Sequence, residues 1–211
     1  MYIGAYGKGR LQRWNPFEAY VSMDNGGTDE ANQKLLVNSS APTINRPHDL
    51  LAYPDGNTII MAGTPGYGFV GGGMLFWSRE TQTSVLLEHS DILRFHSTMS
   101  MLALPDGKLL GGTTTNPGTG GQRQAKLAEL YIMDLETRQL DWHAPVLPDV
   151  QSYFDLCHGP DGLVYGLIDR TRFFVFDPSE REVIDEYSFE EELGSTIYQQ
   201  GTRVLNCAPD G

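Results

Sequence analysis

Short apolar runs alternate along this chain with turns that are rich in Gly, Pro, Asp and Asn. Runs of this length, bounded by turn residues, are typical of β-strands rather than helices. Four of the turns carry the same triplet, Pro-Asp-Gly, at residues 54–56, 105–107, 160–162 and 209–211. The aspartates of these triplets are 51, 55 and 49 residues apart (106−55, 161−106, 210−161). A nearly constant period of this size predicts a repeat architecture.

Each repeat is predicted to contain four strands. One strand precedes the Pro-Asp-Gly triplet and a second follows it, as at residues 99–104 and 109–113. A third strand ends in another recurring turn that begins with Asn, Ser or Asp, as at 174–178, because these side chains bond the backbone two residues on. A fourth strand then leaves, as at 182–187, and residues 189–193 predict one short helical turn.

Four antiparallel strands in every repeat of about 50 residues are the signature of a β-propeller. A β-sandwich also contains many short strands, but it does not require the same two turns in the same order in every repeat. We therefore predict an all-β protein with a single β-propeller, or propeller portion, over residues 1–211. Its four four-stranded blades are expected to end their repeats near Gly56, Gly107, Gly162 and Gly211.

Two ways of completing the ring remain open. Joining Gly211 to Met1 regenerates a Pro-Asp-Gly triplet followed by a strand. That junction is expected if the chain closes as four blades, and equally if it is cut at a repeat boundary. We favour a portion of a larger ring of about six to eight blades. Further sequence or a second copy in a homodimer would complete it, because open sheet edges tend to pair.

Composition and charge exclude some function classes. The formal net charge is −12, so no basic excess neutralises phosphates, and nucleic acid is not an expected partner. No apolar run approaches the length of about 18 residues needed for a membrane-spanning helix, so no membrane partner is expected. Cys157 and Cys207 are expected to be free thiols, with a disulfide as the alternative. No signal peptide is visible at Met1, and both the compartment and export stay open.

The long loops indicate where a ligand would bind. Strand direction alternates in an antiparallel blade. One face of the propeller therefore holds the start of the first strand, the loop between strands two and three, and the connection to the next blade. Long insertions are predicted at these positions: residues 25–43 join two blades, and 64–73 and 114–126 join second and third strands. Function concentrates on variable loops held by a rigid frame, so this long-loop face is the candidate surface.

Polar residues at the starts of the first strands are predicted to converge around the channel on that face, and Tyr67 is displayed by a Gly-rich loop. Convergent polar groups in a concavity are the default binding-site hypothesis. The alternative is that they cap strands and hold channel waters. The candidate residues are Arg46, His48, Asp49, Tyr67, His96, Tyr153, Asp155, Gln199, Gln200 and Arg203.

The run R-P-H-D-L-L-A-Y-P-D-G at residues 46–56, followed by a strand and G-T-P-G-Y-G, resembles the repeats of bacterial β-propeller proteins of the NHL-like and YVTN-like kinds. Residues 171–178 resemble the closing part of the same repeat. A more distant likeness is to propeller-fold polysaccharide lyases that act on uronic acids. These resemblances imply a propeller fold and leave the activity open.

The lyase resemblance implies a β-elimination carried out by a base, a group that stabilises the substrate carboxylate, and an acid. The residues implied are His48 or His96 as base, Arg46 or Arg203 as carboxylate partner, and Tyr67 or Tyr153 as acid. No cofactor is expected, although Asp49 and Asp155 are oxygen ligands of the kind that Ca²⁺ takes. Three functions stay open: a binding module for carbohydrate or a partner protein, which we favour, a uronate-polysaccharide lyase, and a non-catalytic scaffold.

Overall fold

The computed structural model describes residues 1–21, 32–169, 171–193 and 205, which form short strands and one helical turn. In this part of the chain no helix is long and apolar enough to span a membrane. The elements are β1 (Tyr2–Ala5), β2 (Arg10–Arg13), β3 (Lys34–Asn38), β4 (Arg46–Ala52), β5 (Thr58–Thr64), β6 (Met74–Ser78), β7 (Ser84–Leu87), β8 (Ser97–Ala103), β9 (Lys108–Thr114), β10 (Leu130–Asp134), β11 (Gln139–Ala144), β12 (Tyr153–His158), β13 (Val164–Ile168), β14 (Arg172–Asp177), β15 (Glu182–Ser188) and α1 (Glu190–Leu193).

The strands form four antiparallel sheets in chain order, in which each strand pairs with the next one along the chain. Sheet 1 holds β1–β3, sheet 2 holds β4–β7, sheet 3 holds β8–β11 and sheet 4 holds β12–β15. Sheet 1 has three strands within the described residues, and the other sheets have four. This meander, repeated sheet after sheet, is the blade of a β-propeller, and it confirms the predicted fold class. The number of blades in a complete ring stays a prediction.

The Pro-Asp-Gly triplets form the hairpins between the first and second strands of sheets 2, 3 and 4. Their glycines, Gly56, Gly107 and Gly162, have φ angles of 72°, 81° and 83°, a left-handed conformation that only glycine adopts without strain. In the first hairpin the Asp55 carboxylate accepts the backbone N–H groups of Asn57 and Thr58, each at 2.8 Å. The triplet is therefore an architectural turn on the face opposite the long loops. Its fourth copy, at 209–211, lies outside the described residues.

Both faces of the inner strands of sheets 2 and 3 are buried because each of these sheets is packed between two neighbours. In β5, Ile59 and Met61 join a core with residues of sheet 1, whereas Ile60 and Ala62 join a core with residues of sheet 3. A further core fills the space between sheets 3 and 4, around Tyr153 and Phe174. The alternation of side chains along a strand thus serves two cores at once.

Two expectations from the sequence are wrong. Residues 25–43 are not one connection between blades, because Lys34–Asn38 forms strand β3, whose Leu36 and Val37 pack on the core between sheets 1 and 2. The long connection instead joins β2 to β3 on the opposite face, and residues 22–31 within it lie outside the described part of the chain. Cys157 is disulfide-bonded rather than a free thiol. Cys207, which is one repeat further on, lies outside the described residues.

The innermost strands carry an irregularity at the same place in each repeat. The pairing register shifts between Pro47 and Asp49 in β4, between Thr98 and Ser100 in β8, and between Tyr153 and Asp155 in β12. A bulge of this kind re-aims the side chains beside it. The residues that follow the shift are Asp49, Ser100 and Asp155, all of them buried.

Each of these three side chains bonds a backbone group that lies 50 to 53 residues further along the chain. The Asp49 Oδ2 atom accepts the Met101 N–H at 2.6 Å, and the Asp155 Oδ2 atom accepts the Leu205 N–H at 3.0 Å. The Ser100 hydroxyl donates to the Tyr153 carbonyl oxygen at 3.1 Å. We call these three hydrogen bonds the inner-strand links. They fix how far each blade is displaced from its neighbour along the channel.

Replacing Asp49 by Ala is expected to lower the free energy of unfolding by about 2–3 kcal/mol, because it leaves the buried Met101 N–H without its charged acceptor. Ser100→Ala is the matched comparison at the equivalent position. It removes a neutral hydrogen bond and is expected to cost about 1 kcal/mol. Urea denaturation of both variants measures the difference. A cost for Asp49→Ala no larger than that of Ser100→Ala would contradict the role assigned to the Asp49 link.

Candidate functional site

The two long loops of sheets 2 and 3 form one continuous surface. The β5–β6 loop and the β9–β10 loop bond to each other through Gly68 N–H to Thr119 O and Gly118 N–H to Phe69 O, both at 2.9 Å. Gly118 permits this approach, since a Cβ atom there would lie 1.8 Å from the Gly66 carbonyl oxygen. The surface is held by backbone hydrogen bonds and is built on two neighbouring blades.

Arg46 lies at the start of β4 beside these loops, between two tyrosine rings. Its guanidinium carbon is 5.2 Å from the Tyr67 ring centroid and 5.8 Å from that of Tyr6, which lies in the β1–β2 loop. Its Nη2 atom donates to the Thr119 hydroxyl at 3.3 Å. We call Tyr6, Arg46, Tyr67 and Thr119 the Arg46 cluster. It brings together residues from sheets 1, 2 and 3.

The cluster is open to solvent and carries large aromatic side chains. Tyr6 is 60% exposed and Tyr67 is 64% exposed, and the neighbouring Phe69 is 47% exposed. A hydrogen bond with Tyr6, together with the hydrogen bond and positive charge of Arg46, lowers the pKa of the Tyr67 hydroxyl. The cluster thus offers aromatic faces, hydroxyl groups and a guanidinium at one place.

His48 is the bulged residue of β4, two positions after Arg46. Its Nε2 atom lies 3.0 Å from the Thr64 hydroxyl. Burial, and to a smaller extent the charge of Arg46, lowers the pKa of the imidazole to about 4. His48 is therefore neutral at neutral pH and accepts a proton only weakly. Arg46 thus lies near both His48 and Tyr67, and the roles predicted for these residues stay predictions.

His96 and Tyr153 are directed elsewhere. His96 lies four positions before Ser100, whereas His48 directly precedes Asp49, so the two histidines are not equivalent in the repeat. Both ring nitrogens of His96 approach backbone carbonyl oxygens, Nδ1 that of Arg94 at 3.0 Å and Nε2 that of Leu127 at 2.9 Å. Its imidazole thereby ties two connections together, and it is buried.

Tyr153 is fully buried, with its ring packed edge-on against Phe174 at 5.5 Å between centroids. Burial raises the pKa of its hydroxyl. These contacts place Tyr153 in the core between sheets 3 and 4 rather than on the exposed surface. A role for either His96 or Tyr153 in ligand chemistry stays a prediction.

The remaining predicted residues fall into two groups. Asp49 and Asp155 are buried and accept backbone N–H groups in the inner-strand links, so each has a structural task. Across the described ranges, no group of three or more His, Cys, Asp or Glu side chains is arranged to hold a metal ion. Gln199, Gln200 and Arg203 lie outside the described residues, and their roles stay predictions.

Sequence reasoning missed Tyr6, Phe69 and Thr119. Tyr6 directly follows the strand that aligns with the second strand of the later repeats, so it occupies the same kind of loop as Tyr67. That loop is short, and only the long insertions carry a sequence signal for a binding surface. Phe69 and Thr119 are placed by the pairing of two loops that lie about one repeat apart, which no local pattern reveals.

No protein-family model matches the sequence, and no curated protein sequence matches it. Solved structures do match. The WD40 repeats of RRP9 are similar to it with 14% sequence identity and a TM-score of 0.51, over 67% of this chain and 38% of that one. The structure of U3-55K gives 14% identity and a TM-score of 0.50, over 67% of this chain and 39% of that one.

The matched region spans less than half the length of each of these neighbours. At this level of identity the likeness shows the fold alone. The chain therefore has a β-propeller fold like that of WD40 repeats. The comparisons give no support to the bacterial NHL-like or YVTN-like resemblance, or to the likeness to lyases.

The low pKa of His48 predicts a pH dependence of stability. Between about pH 6.5 and pH 4 the unfolded chain binds a proton at His48 that the folded chain does not, so acidification through this window destabilises the fold by up to about 3 kcal/mol. His48→Gln removes this contribution and retains a hydrogen-bonding group beside Thr64. Urea denaturation across the window should show the advantage of wild type over His48→Gln shrinking as the pH falls. An advantage independent of pH would refute the assignment.

Proposed function

We propose that this chain is a β-propeller interaction module that recognises a partner protein through the Arg46 cluster and the adjoining Phe69. The observation that carries the proposal is that two exposed tyrosine rings flank Arg46, while the exposed Phe69 lies two residues after Tyr67 in the same loop. Tyr and Arg are among the residues most enriched at the energetic centres of protein interfaces. Solvent-exposed aromatic groups of this size, set side by side, are a typical mark of such a surface.

The backbone of this surface also supports a role in binding a partner protein. Hydrogen bonds between the two long loops order the backbone that carries Tyr67 and Phe69 before any partner arrives. A prearranged surface loses less conformational entropy on binding, which favours affinity. The WD40-like fold also supports the proposal, because a β-propeller presents its loops at the end of a central channel.

Carbohydrate is the alternative ligand, since exposed aromatic rings stack on sugars. Arg46 already lies over the rings of Tyr6 and Tyr67, which leaves Phe69 as the freer platform. A second copy of this chain, as a homodimer that completes the ring, is another alternative partner. A non-catalytic scaffold would use none of these exposed groups.

The uronate-polysaccharide lyase remains a second candidate because Arg46, His48 and Tyr67 lie in one neighbourhood. A general base works best when its pKa lies near the working pH, and that of His48 is about 4. The proton at C5 of a uronate would thus meet a weak base at neutral pH. Incubation with uronate-containing polysaccharides, followed by the absorbance of the unsaturated product, tests this candidate.

Selection of short peptides from a random displayed library, with the wild-type chain immobilised, tests the proposed function. Selected peptides should bind wild type at least about tenfold more tightly than a Tyr67→Ser/Phe69→Ser variant, because the variant lacks the central aromatic side chains. Fluorescence anisotropy of the labelled peptides gives the dissociation constants.

The matched control is Val85→Ser/Leu86→Ser on the outer strand β7, where two exposed apolar side chains lie away from the surface. This variant should bind the same peptides as wild type does. Failure to enrich any peptide, or equal binding to the Tyr67→Ser/Phe69→Ser variant, would contradict the proposal.

A further inference from the structure

We infer that the partner presents a carboxylate to Arg46, so that the segment recognised is acidic. This inference rests on the proposed function and adds the chemistry of the partner to it. It follows from three cations of the long-loop face, Arg46, Lys8 and Arg123, for which the described residues supply no carboxylate partner.

Arg46 has no carboxylate partner in the described part of the chain. The ion pairs there join Lys108 to Asp106 and Asp141, and Arg172 to Asp169 and Glu186, while the His143 imidazole lies beside Glu129. The Arg46 guanidinium contacts the Thr119 hydroxyl and the two tyrosines. A guanidinium carries five N–H donors in a planar fork, so neutral contacts leave it able to receive a carboxylate.

Two further cations on this face have no carboxylate partner among the described residues. Lys8 is exposed in the β1–β2 loop, two residues after Tyr6, and takes part in no ion pair among the described residues. Arg123, in the β9–β10 loop, donates to the neutral side-chain oxygens of Gln151 at 2.6 Å and Asn116 at 2.5 Å. Three sheets thus each contribute a cation without a carboxylate partner to one end of the propeller.

The opposite face carries both acidic turns and cations such as Arg79. Its tight turns carry Asp55, Asp134, Asp161 and Asp177, whose carboxylates accept backbone N–H groups of the turns. The net charge of the whole chain is −12, so an anion is not attracted to the molecule as a whole. Attraction of an acidic segment would therefore be local to the long-loop face and would favour one docking orientation.

Tyr6 and Tyr67 favour a carboxylate on a peptide over a free anion. Their rings flank Arg46 and are more than half exposed, so a peptide that bonds the guanidinium would also cover aromatic surface. Excluding water around a charged hydrogen bond strengthens it. The carboxylate we propose is an Asp or Glu side chain of the partner, and a free C-terminus is the alternative outcome that the test separates.

The experiment uses four fluorescein-labelled synthetic peptides of equal length and the 211-residue chain. The first alternates Glu and Asp with Phe and Leu and has an amidated C-terminus. The second replaces Glu by Gln and Asp by Asn, the third is this neutral peptide with a free C-terminus, and the fourth carries Lys at the acidic positions. Each is titrated, with anisotropy as the readout, against wild type, Arg46→Gln, Arg79→Gln and the Tyr67→Ser/Phe69→Ser variant.

Arg79 is the matched control because its substitution removes the same charge at the opposite face, where Nη1 donates to the Gly56 carbonyl oxygen. The acidic peptide should bind wild type at least about tenfold more tightly than either neutral peptide. Arg46→Gln should abolish that preference, and Arg79→Gln should leave it within about twofold. Equally tight binding of the neutral peptide with a free C-terminus would show that a terminal carboxylate is recognised and would overturn the acidic segment.

Two outcomes overturn the inference in distinguishable ways. If the neutral or Lys peptide binds as well as the acidic one, and binding is lost in Tyr67→Ser/Phe69→Ser, the partner is not acidic and the proposed function stands. If none of the four peptides binds wild type, the inference falls together with recognition of a peptide segment at this surface. A preference for the acidic peptide that survives in Arg46→Gln would also overturn it.

Discussion

The hydrogen bond from the Met101 N–H to the Asp49 carboxylate is the contact on which the rest of this structure depends. It is 2.6 Å long, buried, and joins the innermost strand of one blade to that of the next. Ser100 and Asp155 make the corresponding contacts in the following repeats. Hydrophobic packing between sheets is not directional, so it can hold blades together without fixing how they are displaced along the channel. A directional hydrogen bond at the same repeat position supplies that register.

The Arg46 cluster is a consequence of this register. Arg46 is three residues before Asp49 on β4, and the loop with Thr119 leaves the sheet whose strand β8 contains Met101. A displacement of sheet 3 along the channel would separate Thr119 from Arg46 and break the hydrogen bonds between the two long loops. The surface therefore combines residues more than one repeat apart in sequence, and its chemistry depends on architecture rather than on a local motif.

The period of the Pro-Asp-Gly turns predicted the blades, most strand positions and the tight-turn face, because turn chemistry and short apolar runs are local properties. Strand β3 was missed because its run Leu35–Val37 is short and lies within a polar stretch. Arg46 lies beside both Tyr67 and His48, and the role of these residues as a site stays a prediction. The bulges before Asp49, Ser100 and Asp155 have no local signal in the sequence. They direct these three side chains into structural contacts, and Tyr6 and Thr119 are brought to Arg46 only by the stacking of blades.

Residue-specific hydrogen exchange of the Met101 amide tests the inner-strand link most directly. In wild type this amide should exchange as slowly as those of β13, Val164–Ile168, which lie in a different sheet. In Asp49→Ala its exchange should accelerate at least about tenfold more than theirs, because a local hydrogen bond is lost in addition to global stability. Equal acceleration of both sets, or a Met101 amide that already exchanges rapidly in wild type, would contradict the claim that this link fixes the register of the blades.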